Sequence, residues 1–419
     1  MENGMGVWLG GEVVDEPSSD QSSERIKSWL AALLDGEHLS LLTGNGLTTG
    51  VAFNAGIEAP SMAGEPEFGK YTKQILDDAA ATSAQMGRGN KPNIEDKLRS
   101  AQTVLDGLAI IEPDQTDTQA LRACVEAQFE LLLKSVLGFE HDLRSAIGTE
   151  KYQTALNSAA RFLLAFAARP GGRERLNLFT TNYDRLLEHL CDQLGIRPLD
   201  RFVGGLEPKF RASRLDVDMH YNPPGARGEP RYLEGVLHLG KLHGSLDWNW
   251  SESQGVHKAM VPFGAKLATS PSPWSKNVLI YPRSTKDIET QLYPYAELFR
   301  DFASAVCRPH SVLFTFGYGF GDSHVNRIIQ DMLTIPSTHL VVCSFDASQS
   351  IDSCLGEFIA NPQISAFIGP HYATIDAIGR LLPRLSSEPL VRRQGNYRSI
   401  VDATKPSFAN SSRDAGGDS

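Results

Sequence analysis

The sequence is 419 residues long, 41% hydrophobic and 21% charged, with a formal net charge of −10. That size and apolar content suit a globular chain with a large core, in one large α/β domain or two smaller ones. The acidic balance gives no support for a broad nucleic-acid or anionic-membrane surface, and no apolar stretch approaches the roughly 20 residues of a membrane span.

Residues 1–24 are rich in Gly, Ser and acids, among them Glu2, Glu12, Asp15, Glu16 and Asp20, and hold no Lys or Arg. A flexible arm is expected there. The basic start and apolar run of a secretory signal are both missing, so the cytoplasm is the expected compartment. The first strand is expected over His38–Thr43, ending in the turn Gly44-Asn45-Gly46. A helical region follows at about 60–170. Within it Pro92-Asn93-Ile-Glu-Asp starts a helix, with Asn93 as N-cap. Over 116–146, Leu121, Val125, Phe129, Leu132 and Val136 recur at helical spacing.

From residue 176 short apolar strands alternate with helices. Strands are expected at Leu176–Thr180, Val236–Leu242, Val278–Tyr281, Ser311–Gly317 and His339–Phe345. Helices are expected over Tyr183–Leu194, 293–307, 322–334 and 371–384. Such alternation predicts an α/β fold with a doubly wound parallel sheet covered on both faces, over residues 25–385. Residues 386–419 turn polar and read as a flexible C-terminal tail. The five cysteines (Cys124, Cys191, Cys307, Cys343, Cys354) are scattered and odd in number, and read as reduced core thiols.

Four clusters fall at expected strand ends, where doubly wound sheets bind ligands. Thr43-Gly44-Asn45-Gly46-Leu47 could bring backbone amides close to a phosphate, or be a bare tight turn. In Phe179-Thr180-Thr181-Asn182-Tyr183-Asp184, Thr181 or Asn182 either caps the next helix or faces a ligand. Lys241-Leu242-His243-Gly244-Ser245 carries a histidine out of a strand, near the pH range where imidazole exchanges protons. His238 lies five residues earlier, on the opposite strand face, which argues against a paired metal site. Phe316-Gly317-Tyr318-Gly319-Phe320-Gly321-Asp322 is a glycine-dense turn in which Asp322 can cap the following helix.

In order and content these clusters resemble the sirtuin family over roughly residues 25–385. The turn at 44–46 resembles its first phosphate loop, and Thr181-Asn182-Tyr183-Asp184 its Gln-Asn-Ile-Asp string. His243-Gly244 is similar to its catalytic His-Gly, and Gly317-Tyr318-Gly319 to its later Gly-Thr-Ser turn. Asn93-Ile94-Glu95-Asp96, Tyr281-Pro282, Pro294-Tyr295-Ala-Glu-Leu-Phe299 and Gly317-Tyr-Gly-Phe-Gly-Asp322 resemble the bacterial sirtuin-like anti-phage effectors. Asn45 and Tyr183 depart from the family, which has a small residue and an aliphatic one there.

The resemblance implies a Rossmann-like sheet with an inserted helical region, binding NAD. It implies that Asn182 holds the nicotinamide ribose or the attacking water and that His243 is the general base. Asp184 would lie near the nicotinamide, and Thr181 would be a further cofactor-binding residue. Gly44, Asn45, Gly46, Gly317, Tyr318 and Gly319 would line the phosphates. Deacetylating sirtuins hold zinc with two Cys-x-x-Cys pairs, whereas Cys343 and Cys354, the nearest pair here, are eleven positions apart. The expectation is therefore NAD hydrolysis without a zinc module or deacetylation. The amphipathic helices at about 65–168 exceed what a minimal nucleotide-binding sheet requires, and either bury their apolar stripe against a neighbouring subunit, giving the expected homo-oligomer, or cap the chain's own sheet. The resemblance also implies a HerA-type ATPase partner and a part in phage defence. The alternative is a non-catalytic nucleotide-binding subunit that gates such a partner. A nuclease subunit ranks lower because no carboxylate cluster stands out.

Overall fold

The computed structural model describes residues 5–60, 66–85, 92, 94–111, 116–214, 218–221, 231–266, 277–279, 293–356 and 360–383. The cap at Asn93, the Tyr281-Pro282 pair and the tail 386–419 lie outside the described residues.

Nine of the described strands form the main sheet, in the order β2 (Glu12–Val13), β1 (Gly6–Leu9), β16 (Ile364–Ile368), β15 (His339–Ser344), β14 (Ser311–Phe316), β3 (His38–Thr43), β4 (Asn177–Thr180), β10 (Val236–Lys241) and β5 (Arg197–Leu199), while β8 (His220–Tyr221) and β9 (Arg231–Tyr232) pair separately. The centre of the main sheet is β3, flanked by β4 and β14. Beyond β4 lie β10 and β5, and beyond β14 lie β15 and β16. These seven strands pair in parallel. The chain moves outward from β3 through β4 and later returns to β14 on the other side. The order therefore reverses between β3 and β14, which is where such sheets open a crevice for a ligand.

Side-chain alternation along the strands feeds two cores, as the pleat requires. Leu39 and Leu41 of β3, Phe314 and Phe316 of β14, and Val341 and Cys343 of β15 face one side. There they meet α1 (Asp20–Leu34), α2 (Asn45–Ala55), α6 (Glu150–Ala167), α7 (Leu186–Leu194) and α11 (Ile375–Leu381). Leu42, Leu313, Leu340 and Val342 face the other side, against α8 (Tyr295–Val306), α9 (Ser323–Leu333) and α10 (Gln349–Leu355). All five cysteines are free thiols, and burial pushes the pKa of Cys354 up to about 11 and raises those of Cys191 and Cys343 further.

The N-terminal segment departs from the expected arm. β1 (Gly6–Leu9) pairs antiparallel with β16, β2 (Glu12–Val13) folds back on β1, and Ser19 caps α1. Val7, Trp8 and Leu9 are buried despite their acidic surroundings, because β16 supplies both hydrogen-bond partners and apolar cover.

Four helices occupy most of the stretch between β3 and β4: α3 (Thr72–Gln85), α4 (Ile94–Ile111), α5 (Thr116–Ser145) and α6. Leu121, Val125, Phe129 and Leu132 of α5 bury against Leu98, Ala101 and Leu105 of α4. This apolar stripe, which in sequence could have met a neighbouring subunit, is covered within the chain. Tyr183, from the Thr-Asn-Tyr-Asp string, belongs to the same cluster and joins the helical insertion to the end of β4.

A second, five-stranded sheet, β13-β11-β12-β7-β6, was read in the sequence only at β13, which overlaps the strand expected at Val278–Tyr281 but pairs antiparallel here, outside the parallel sheet. It consists of β6 (Phe202–Val203), β7 (Lys209–Phe210), β11 (Gly244–Ser251), β12 (Gly255–Lys258) and β13 (Asn277–Leu279), and β11 begins one residue after His243. Phe202, Phe210 and Trp248 pack as its aromatic centre.

Candidate active site

The four clusters leave the sheet at one level. Phe316 pairs with Thr43, Thr43 with Thr180, and Thr180 with Lys241, so the ends of β14, β3, β4 and β10 stand in a row. The Thr181 N–H donates to the Thr43 carbonyl at 3.2 Å and the Leu242 N–H to the Thr180 carbonyl at 2.8 Å. Asn182 and His243 thus emerge from adjacent strands, each two residues past the same paired position.

The two glycine turns flank the strand-order reversal and touch each other. The Gly44 N–H donates to the Phe316 carbonyl and the Gly46 N–H to the Gly317 carbonyl, both at 3.0 Å. A Cβ on Gly46 would lie 2.5 Å from the Gly317 Cα, and one on Gly44 would lie 2.5 Å from the Gly317 oxygen. Gly317 also holds φ at +61°, a conformation that side chains resist. These three glycines are thus first required by backbone–backbone approach. The N–H groups of Gly44 and Gly46 have partners within the chain, as does that of Gly317, which donates to the Cys343 carbonyl at 3.1 Å. Asn45 and Gly319 are exposed, and their N–H groups have no partner among the described residues. The Tyr318 side chain is buried, packs on Phe320 and donates its hydroxyl to Asn326, so only its backbone could face a ligand.

Asn182 is half-buried and its amide is oriented. The Nδ2 group donates to the Gly44 carbonyl at 3.1 Å and to the Thr48 hydroxyl at 2.9 Å. Thr48 in turn donates to Oδ2 of Asp184 at 2.8 Å, and Oδ1 of Asp184 accepts from the Leu186 N–H at 3.0 Å. Both Asp184 oxygens are thereby engaged within the chain, so this residue anchors the loop and, through Thr48, the Asn182 amide. With both amide hydrogens committed, Oδ1 of Asn182 is left as an acceptor. Thr181 is half-buried beside it.

Buried charges hold the loop from below. Lys241 is 3% exposed, and its ammonium donates to the Asp184 carbonyl and to Oε1 of Glu188, the latter at 3.1 Å. Arg185 pairs with the fully buried Glu140, which accepts from the Arg185 backbone N–H at 2.9 Å as well. Burial drives the Glu140 pKa up even against the pull of that guanidinium.

His243 is buried, and its Nε2 lies 2.7 Å from Oδ2 of Asp322. Asp322 also caps α9, accepting from the N–H groups of His324 and Val325 through Oδ1. The imidazole lies 6.3 Å from the Tyr183 ring. The sequence reading placed Asp322 only as a cap and missed Thr48, Lys241 and Glu140. Thr48 precedes Asn182 by 134 positions, and no local pattern marks such a pairing.

Among the described residues no group of three or more His, Cys, Asp and Glu side chains could hold a metal ion. No described helix is long and apolar enough to cross a membrane.

Residues 176–355 match the family described as SIR2-like domain, a span that holds Asn182, His243 and Asp322. A search of curated proteins finds no match. A mutant Sir2 homologue bound to ADP-ribose aligns with a TM-score of 0.38 at 13% identity, over 89% of this chain and 98% of that one. A triple mutant bound to 2'-O-acetyl ADP-ribose aligns at 0.39 and 15%, over 90% and 99%. The family match covers less than half of the chain.

Proposed function

We propose that this chain is an NAD+ glycohydrolase that cleaves the nicotinamide–ribose bond with water, giving nicotinamide, ADP-ribose and a proton. The observation that supports this reading is the pairing of Thr180 with Lys241, from which Asn182 and His243 follow on adjacent strands, each two residues past the paired position.

The chemistry asks little of the protein. Nicotinamide leaves as a neutral molecule from a cationic glycoside, so no strong acid is required. The transition state resembles an oxocarbenium ion, as in other glycoside cleavages. What remains is to place the ribose and the water and to remove one proton. Oδ1 of Asn182 suits the first task, since it can accept from a ribose hydroxyl or the water. The imidazole of His243 suits the second. The open N–H groups of Asn45 and Gly319, on the two turns flanking the strand-order reversal, are suited to the phosphates.

The missing Cys-x-x-Cys pairs argue against a zinc-supported deacetylase, and the resemblance to bacterial anti-phage effectors supports a role in defence by NAD depletion. A HerA-type ATPase partner and assembly into a homo-oligomer belong to the same reading. Incubation of the purified chain with NAD, alone and with such a partner, tests it through release of nicotinamide and ADP-ribose. Turnover supports the proposal, and intact NAD under both conditions would refute it.

A further inference from the structure

We infer that Asp322 fixes the tautomer and orientation of His243, so that Nε2 carries the ring proton and Nδ1 presents the lone pair. The inference deepens the assignment of His243 as the base. Two oxygens on one carboxylate carry the argument. Oδ1 accepts from the N–H groups of His324 at 2.9 Å and Val325 at 3.3 Å, which ties Asp322 to the start of α9. Oδ2, 2.7 Å from Nε2, is aimed at the imidazole. A carboxylate only accepts, so the neutral ring must donate from Nε2. Nδ1 makes no hydrogen bond among the described residues.

The carboxylate is itself held in place. The Tyr318 hydroxyl donates to the Asp322 carbonyl at 3.3 Å and to Oδ1 of Asn326 at 2.9 Å. The Asn326 amide donates back to the Phe320 carbonyl at 2.8 Å. The turn at 317–322 is therefore braced, and Asp322 reaches His243 across the ends of β3 and β4 from a strand three places away. The side chains of His243 and Asp322 are 8% and 7% exposed, so little water competes for the contact. Asp322 does not touch the reacting atoms in this scheme. It is a positioning residue, and its partner is the base.

The substitution Asp322→Asn separates capping from orientation. Asn is as good an N-cap as Asp, and its carbonyl oxygen would stay on the His324 and Val325 amides. The amide nitrogen then faces Nε2 and donates to it, which forces the ring proton onto Nδ1. Long-range nitrogen–proton spectra of histidine-labelled protein, with the His243 signal identified by its loss in His243→Gln, read this directly at a pH where the ring is neutral. The expected result is a proton on Nε2 in the wild type and on Nδ1 in Asp322→Asn, with unchanged melting. An unchanged tautomer, or a wild-type ring protonated on Nδ1, would overturn the inference. The same samples are assayed with NAD, where the variant should lose about tenfold or more of any turnover. A tautomer that switches while the variant keeps full wild-type turnover would overturn the positioning role. A wild type that cleaves no NAD while the tautomer switches would refute the hydrolase reading and leave the orientation by Asp322 standing.

Discussion

The Gly46 N–H donates to the Gly317 carbonyl at 3.0 Å, and this bond joins the turn after the first parallel strand to the turn after β14, 271 positions away. The contact explains why both turns are glycine-rich without any ligand. It also ties the two halves of the sheet together where their strand order reverses.

Gly46→Ala is expected to destabilise the fold by about 2–4 kcal/mol, because a Cβ 2.5 Å from backbone cannot be relieved by a side-chain rotation. Gly319→Ala should be nearly silent, since nothing lies within 4 Å of its Cβ. Denaturant unfolding of the two variants compares them. Equal midpoints would contradict the turn-to-turn contact.

Thr48→Val is close in shape but deprives Oδ2 of Asp184 and the Asn182 amide of a buried partner. A loss of about 1–3 kcal/mol follows from the unmet groups. Any NAD turnover should fall with it, because the Asn182 amide loses one of its two anchors. Thr48→Ser should restore both stability and turnover, and failure of that rescue would count against the network.

Glu140→Ala should cost about 3–5 kcal/mol, since it strands the buried Arg185 guanidinium. Glu140→Gln keeps an acceptor for the Arg185 backbone N–H and should lose less. Thermal melting of both variants orders them.

Stability should fall in mild acid. Burial holds the His189 and His339 pKa values down at about 4, below the 6.5 expected of the unfolded chain. Between those values the unfolded state binds more protons, so these two neutral rings favour the fold fully above pH 6.5 and progressively less toward pH 4. A melting temperature lower by several degrees at pH 4.5 than at pH 7 is expected. His339→Gln, which can still meet Ser365, should flatten that slope, and an unaltered slope would remove His339 from the account.

The central strands were legible because each is a short apolar run ended by glycine or polar residues, as in His38–Thr43 and Ser311–Phe316. The candidate residues were legible for the same reason, since each follows such a run. The first strand, Gly6–Leu9, was not. Its apolar residues sit among acids, and only pairing with the distant β16 makes them a strand. Most of the second sheet was hidden because β6 and β7 are two residues each and owe their form to nonlocal partners. The helix expected from Tyr183 begins at Leu186, because Asp184 is spent on Thr48 and on capping the Leu186 N–H. Orientation within the site was the least legible part. The direction of the Asn182 amide depends on Thr48 and Gly44, and that of His243 on Asp322, all remote in sequence.

The central claim is that Asn182 and His243 together cleave NAD. The most direct measurement is nicotinamide release by purified wild type, Asn182→Ala and His243→Ala proteins matched for melting temperature, with any required partner present. The account predicts release by the wild type and a loss of at least about 100-fold in each variant, as expected when a positioning or proton-transfer group is removed. Wild-type release from a well-folded Asn182→Ala protein would contradict it.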